Sequence, residues 1–195
     1  AQGCRPIGSP MHVTRSDRNL LLELDHKPSL EVLREVFLSL NERDQELARH
    51  SLFIGVLMNG FLDEPCQGDF LIRNVIGIDP RNDVLAIGEM MREGQVVQFH
   101  LRDAQTSAED LHAMLSRYPE DSHKPNPRGA LLFSCLGRGQ YLYGRPDHDT
   151  DMFLEMAGPI PLGGFFCNGE IGQVGGTTYL HGYTSSFGIF RSKTD

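Results

Sequence analysis

The chain is 195 residues long, with 26 acidic against 18 basic side chains and a formal net charge of −8. That length fits one domain, or one compact unit of two lobes, with ample core; the acidic balance argues against nucleic acid or an anionic membrane surface, both of which reward Lys/Arg patches. No apolar run approaches the roughly 20 residues of a membrane helix, so the chain reads as soluble and no membrane insertion is expected.

In chain order, the opening "AQGCRPIGSP" carries no initiator methionine and is loop-like, as expected of a piece of a longer protein. "MHVTRSDRNLLLELD" reads as a hairpin turning at "SDRN", between Val13 and Leu20. A helix follows, with Ser29 as N-cap after Pro28, Glu31 in its first turn, and Leu30, Leu33, Phe37 and Leu40 at helical spacing. It continues or restarts through "NERDQELARH". "LFIGVLM" reads as a buried strand and "NGFLDEPCQGD" as a loop. Phe70 to Arg102 reads as three consecutive strands, "FLIRNVIGI", "VLAIGEMM" and "QVVQFHLR", with turns at "DPRND" and "REGQ". In the third, Val97, Phe99 and Leu101 alternate with Gln98, His100 and Arg102, which suits a sheet with one dry face.

A second helix is framed by a capping box, Thr106 with Glu109, ahead of Leu111, Met114 and Leu115. "EDSHKPNPRG" is a polar, proline-bearing surface connection, and "ALLFSCLG" a short buried strand. "DTDMFLEMAG" makes a short helix, capped by Asp149 or Thr150 and stopped near Gly158. "PLGGFF", read as a fully buried strand, and "TTYLHGYTSSFGIF" supply the last strands. The expected fold class is α+β: a largely antiparallel, or mixed, β-sheet with helices packed on it.

Cys4, Cys66, Cys135 and Cys167 lie far apart with no CxxC pair, and three sit in or beside apolar or glycine-rich segments. Such thiols pack as small hydrophobes. With no signal peptide in the sequence, reduced thiols and a cytoplasmic location are expected. The histidines, from His12 to His148, are scattered without an HExxH or HxH frame, which gives zinc little support. "DHDTD", Asp147 to Asp151, lacks the glycine and distal glutamate of a calcium loop and reads as a solvated helix start. A pair of Cys135 or Cys167 with His181 has no nucleophile frame around it. No catalytic residue or metal ligand is therefore assigned, and the chain is not expected to be an enzyme.

Three glycine-punctuated segments remain: "FSCLGRGQYLYG", "GFFCNGEIGQVGG" and "YLHGYTSSFGIF". Two of them leave an apolar strand, where a rigid strand end holds a loop whose glycines let backbone approach a ligand. Gly137-Arg138-Gly139 lacks any nucleotide-binding frame, leaving either a turn with an exposed Arg138 or a ligand-facing loop. In "CNGE", Asn168 and Gly169 suit a tight turn, yet Phe165, Phe166 and Ile171 flank Glu170 with apolar bulk. Glu170 is therefore expected to be at least half buried and bonded by amides of its own loop, since an unpaired buried carboxylate is costly. His181 lies between Tyr179 and Tyr183, as either a satisfied core histidine or a ligand-facing one.

Taken together, "RGALLFSCLGRGQYLYG" and "IPLGGFFCNGEIGQVGGTTYLHGYTSSFGIF" resemble the C-terminal part of the FIST domain, most closely over Arg128 to Phe190 and more loosely over Gly3 to Asp103. The resemblance implies that residues 1–105 hold the end of the family's N-terminal part and the start of its C-terminal part, and residues 106–195 the C-terminal core. It also implies a sensory small-ligand-binding module of a signal-transduction protein, with an amino acid or similar small molecule as ligand and a signalling protein or domain as partner. Two alternatives come with it: a protein-interaction module like that of F-box members, or a haem-based gas sensor with His181 as axial ligand. Otherwise no cofactor is implied. The candidate ligand-binding residues are Cys135, Gly137, Arg138, Gly139, Phe166, Asn168, Gly169, Glu170, His181 and Thr184.

Overall fold

The computed structural model describes residues 1–60, 62–118 and 127–192; most of the connection "EDSHKPNPRG", with its His123, lies outside the described residues, as does Phe61. The chain forms two compact units, Cys4–Asp103 and Ala1–Gly3 with Ala104–Asp195. The fold is α+β, and among the described residues every strand pair except one is antiparallel. No helix among the described residues is long and apolar enough to cross a membrane.

The first unit comprises β1 (Cys4–Asp17), β2 (Leu20–Leu24), β3 (Lys27–Pro28), α1 (Ser29–Ser39), α2 (Glu42–Ser51), β4 (Leu52–Leu57), β5 (Phe70–Asp79), β6 (Val84–Ile87) and β7 (Val96–Arg102). Its sheet runs β1-β7-β4-β5-β6-β2-β3, and because β1 also pairs with β2 the strands close into a ring. The first hairpin turns on Arg18 and Asn19, with Asp17 paired to Leu20 and Arg18 at a φ of 55°. Leu21, Leu24, Ile54, Leu85, Ile87, Val97, Phe99 and Leu101 form its core with residues of α1.

Two local expectations change here, and one alternative is resolved. Ser29 does not cap α1: Pro28 holds the cap position, while the buried Ser29 hydroxyl donates to the Leu21 carbonyl at 2.5 Å and accepts from the Leu85 amide at 3.1 Å. The helix restarts rather than continues, because Asn41 caps α2 by accepting from the Asp44 amide. β7 is dry on both sides, with Gln98 and His100 as buried as Val97 and Phe99. His100 occupies space left by Gly55, where an added Cβ would lie 2.5 Å from its ring, and meets the Phe70 ring edge-on at 4.9 Å.

The second unit holds α3 (Ala104–Arg117), β8 (Pro127–Cys135), α4 (Gln140–Tyr143), α5 (His148–Ala157), β9 (Leu162–Cys167), β10 (Glu170–Val174), β11 (Thr177–His181) and β12 (Ser185–Arg191). β12 pairs antiparallel with β8, and β8 pairs parallel with β9, which forms the sheet edge; β10 and β11 make a separate ribbon. Leu111 and Leu115 of α3 pack with Ala130 and Phe153, and Phe153 stacks on Phe187 at 5.0 Å. Thr106 is no cap, since α3 starts at Ala104 and encloses it. Nor do Asp149 or Thr150 cap α5: Asp147 stands there at a φ of 59°, without a capping side-chain bond. β9 is not fully buried either, because Gly163 to Phe166 lie exposed on the edge.

Candidate functional site

The apolar strand β8 ends at Cys135 and the chain turns at once, with the Arg138 amide bonded to the Cys135 carbonyl at 2.8 Å. Gly139, at a φ of 87°, starts α4, and the left-handed Gly144 and Asp147 steer the chain into α5. These turns carry Arg138 inward rather than to the surface. Its side chain is wholly enclosed and grips Asp149, Nε donating to Oδ2 at 2.7 Å and Nη2 to Oδ1 at 3.2 Å. Ser185 of β12 donates to the same Oδ2 at 2.6 Å, and His148 Nδ1 lies 3.1 Å from Oδ1. The Tyr143 ring stacks face to face on His148 at 3.6 Å.

Burial alone would raise the Asp149 carboxyl, but the bonds and charge of Arg138, with Ser185 and His148, outweigh it and hold the group well below the usual carboxylate range. Burial also opposes the charge on Arg138, and Asp149 overrides it, so the guanidinium stays protonated. Tyr143 is pushed up, chiefly by burial. The Arg138 Nη1 atom is buried without a hydrogen-bond partner among the described residues. This is an ion pair fixed in one geometry by its neighbours, as a bidentate guanidinium–carboxylate fork allows.

A second polar group forms where β9 turns into β10. Glu170 is 1% exposed, accepting from the Thr184 hydroxyl at 2.8 Å, the Thr184 amide at 3.3 Å and the Cys167 thiol at 3.4 Å. The expected burial is present, but the amide comes from the β11–β12 turn, where Tyr183 at a φ of 63° presents Thr184. Burial and the Glu170 carboxylate push the Cys167 thiol up.

Between β9 and the start of α5 lies a cavity of about 540 Å³, half open to solvent. Leu132, Leu162, Phe165 and Phe166 give its apolar walls, while Ser134, Gln140, His148, Asp149 and Thr150 give its polar side. Its β9 wall is built on Gly164, whose φ of 150° and closeness to β8 exclude a side chain: a Cβ there would sit 1.9 Å from the Leu132 carbonyl oxygen. Phe166 reaches across to Gly139, where a Cβ would lie 3.1 Å from its ring.

The expected site residues separate into groups. Gly139 and Phe166 line the cavity. Arg138 sits behind it in the ion pair, and Cys135 is buried at the strand end with Gly137 in the turn beyond. Glu170 and Thr184 bond each other; Gly169 packs near Leu180, and Asn168 is exposed in the β9–β10 turn. His181 lies at the end of the β10–β11 ribbon, its Nε2 3.1 Å from the Gly172 carbonyl, and does not line the cavity. The Gly172 carbonyl lies against Nε2, so iron could reach His181 through that nitrogen only by displacing it. His148, which does line the cavity, is stacked on Tyr143 and held by Asp149. Sequence reading missed Asp149, His148 and Ser134, and took "DHDTD" for a solvated start. No sequence signal pointed to Asp149, because an arginine in a glycine turn needs an acid only if it is buried, and burial is not legible in "GRG".

A family model for the FIST C domain matches residues 29–173, and one for the FIST N domain matches residues 1–27. The chain belongs to the FIST domain family. It is 44% identical over 190 residues to an uncharacterised protein of Mycobacterium tuberculosis, covering 97% of this chain and 49% of that protein. An uncharacterised protein of Mycobacterium bovis is 42% identical over 191 residues, again with 97% and 49% covered. An F-box/LRR-repeat protein of Arabidopsis thaliana is 30% identical over 117 residues, covering 58% of this chain and 22% of that protein. The chain thus spans about half the length of the curated mycobacterial relatives it matches.

Proposed function

We propose that this chain is the small-ligand-binding part of a cytoplasmic signal-transduction protein, recognising an amino acid or similar small molecule and passing occupancy to a partner protein or domain. One observation carries the reading: the half-open cavity pairs an apolar wall on a glycine-built strand edge with a polar wall in which Asp149 is locked in place by Arg138. An apolar cleft with a few fixed polar groups is the usual form of a small-ligand site. Asp149 already has Arg138, Ser185, His148 and Ser134 as partners, so direct polar contact falls mainly to Gln140 and Thr150. Family membership supports the sensory role. No catalytic step is assigned, and in the proposed role the site binds without turnover.

Binding to the folded state raises thermal stability by mass action. A panel of amino acids and small carboxylates should contain a compound that raises the melting temperature of the protein, and Phe166→Ala should weaken its binding at least ten-fold in calorimetry. If no compound in the panel binds, or Phe166→Ala binds as well as the parent, the cavity is not the ligand site. A protein-interaction module is the second reading. It draws support from Phe165 and Phe166, which line the cavity and are exposed, as large apolar side chains at a contact site are.

A further inference from the structure

We propose that Cys135 and Cys167 form a reversible dithiol–disulfide pair, a redox modification site independent of the ligand reading. The two cysteines are register partners, the last residues of the parallel strands β8 and β9. Directly paired residues point to the same face of a sheet, and neighbouring strands run about 4.8 Å apart. That spacing falls inside the roughly 4.4–6.8 Å range of Cα separations that a disulfide spans. Cys135 is buried and Cys167 is partly open to solvent. An oxidant therefore reaches Cys167 first, and Cys135 stands beside it as the resolving thiol. Each cysteine is the last residue of its strand and is followed by a glycine-containing turn, Leu136 to Gly139 after one and Asn168–Gly169 after the other. The Cys167 thiol donates to Glu170 Oε1 at 3.4 Å, a bond that holds the proton on sulfur, so exchange runs through the minor thiolate form and is slow.

The oxidant is a low-molecular-weight disulfide. Cys167, itself partly open to solvent, loses its proton to water, and the thiolate attacks one sulfur of the oxidant, releasing the other as a thiolate that takes up a proton. Cys135 then loses its proton and attacks the Cys167 sulfur of the mixed disulfide, forming the Cys135–Cys167 bond and releasing the second small thiol. Two electrons pass from the protein to the oxidant, and one disulfide is exchanged for another. In the oxidised form Glu170 loses its thiol donor and keeps Thr184.

The test treats the reduced protein with oxidised glutathione, quenches in acid, alkylates with N-ethylmaleimide and digests without reductant for mass spectrometry. The expected product is one peptide pair joined through Cys135 and Cys167, two hydrogens lighter than the reduced pair and restored by dithiothreitol. Cys66, exposed and hydrogen-bonded to Asp69, should carry only the glutathione adduct. In Cys135→Ser the glutathione should remain on Cys167. Three results would each overturn the proposal: glutathione persisting on Cys167 in the unmodified chain while Cys135 is alkylated, both cysteines recovered alkylated when Cys66 is glutathionylated, or linkage to Cys4 or Cys66 instead. The unmodified chain gives the decisive reading, so the test does not depend on the variant folding.

Discussion

An arginine with no exposed side-chain surface must be answered by a carboxylate, and Asp149 answers Arg138 through both oxygens. Breaking a buried pair leaves a charge without compensation, so Asp149→Ala should destabilise the chain by about 3–5 kcal/mol in urea unfolding. The double variant Arg138→Met with Asp149→Leu should recover most of that loss, because no unpaired charge remains. Since the Asp149 carboxyl is depressed in the folded state, its contribution is complete above the ordinary aspartate value of about 3.9 and is lost as pH falls below it. His100 behaves differently. Burial, outweighing its bond to the Gln98 carbonyl, lowers the imidazole to about 4. The unfolded chain therefore takes up the proton first on acidification: the contribution is complete above about pH 6.5 and drains away towards pH 4. Between pH 7 and pH 5 this should cost about 2 kcal/mol, a loss that His100→Gln should not show. Equal pH dependence in the two proteins would mean that His100 is hydrated.

β9 shows why patterns alone misplace a strand. "PLGGFF" was read as buried because its apolar residues are continuous, yet it is a sheet edge whose phenylalanines face a cavity and solvent. What fixes it is the glycine pair, and the two glycines are not equivalent. A Cβ on Gly163 meets only Leu131 Cδ2 at an ordinary 3.6 Å, whereas one on Gly164 would strike the Leu132 backbone. Gly164→Ala should therefore cost about 3 kcal/mol or more and abolish β8–β9 pairing, while Gly163→Ala should stay within about 1 kcal/mol. Similar effects of the two would show that β9 moves freely against β8. The elements whose periodicity is strong were legible in place: the first hairpin, α1, β4, β5, β7 and α3 hold the residues the spacing put in them. By contrast, β1 already starts at Cys4 in the stretch read as loop-like, β6 stops at Ile87 rather than Met91, and β8 starts at Pro127 and leaves Leu131 exposed. Helix caps were not. Ser29 and Thr106 have the right side chains to cap, but packing enclosed both and gave the start of each helix to a neighbour. Pairing in space was equally hidden, and so Arg138 was visible from the sequence while its carboxylate was not.

The division into units does not follow the chain from end to end, because Ala1–Gly3 belongs with Ala104–Asp195. Sequence reading placed a boundary near residue 105 but had no means of assigning three loop-like residues at the start to a partner more than a hundred positions away. The bonds that do so are specific. Gln2 bridges antiparallel to Thr184, the Gly3 amide donates to the Tyr183 carbonyl at 3.2 Å, and the Ser185 amide donates to the Ala1 carbonyl at 2.9 Å. The Gln2 amide also donates to Asp110, and Ser107 donates to the Gly3 carbonyl at 3.1 Å. These bonds tie α3 to the turn that presents Thr184 to Glu170, so this short segment acts as a clasp on the polar interior of one unit. At a net of roughly 1 kcal/mol each, their joint loss should destabilise that unit by about 3 kcal/mol or more. Deleting Ala1–Gly3 should therefore lower hydrogen-exchange protection in α3 and β12 while leaving β4, β5 and β7 protected as before. Protection lost equally in both sets of strands would show that the units unfold as one. Protection unchanged in α3 and β12 would show that the clasp contributes nothing.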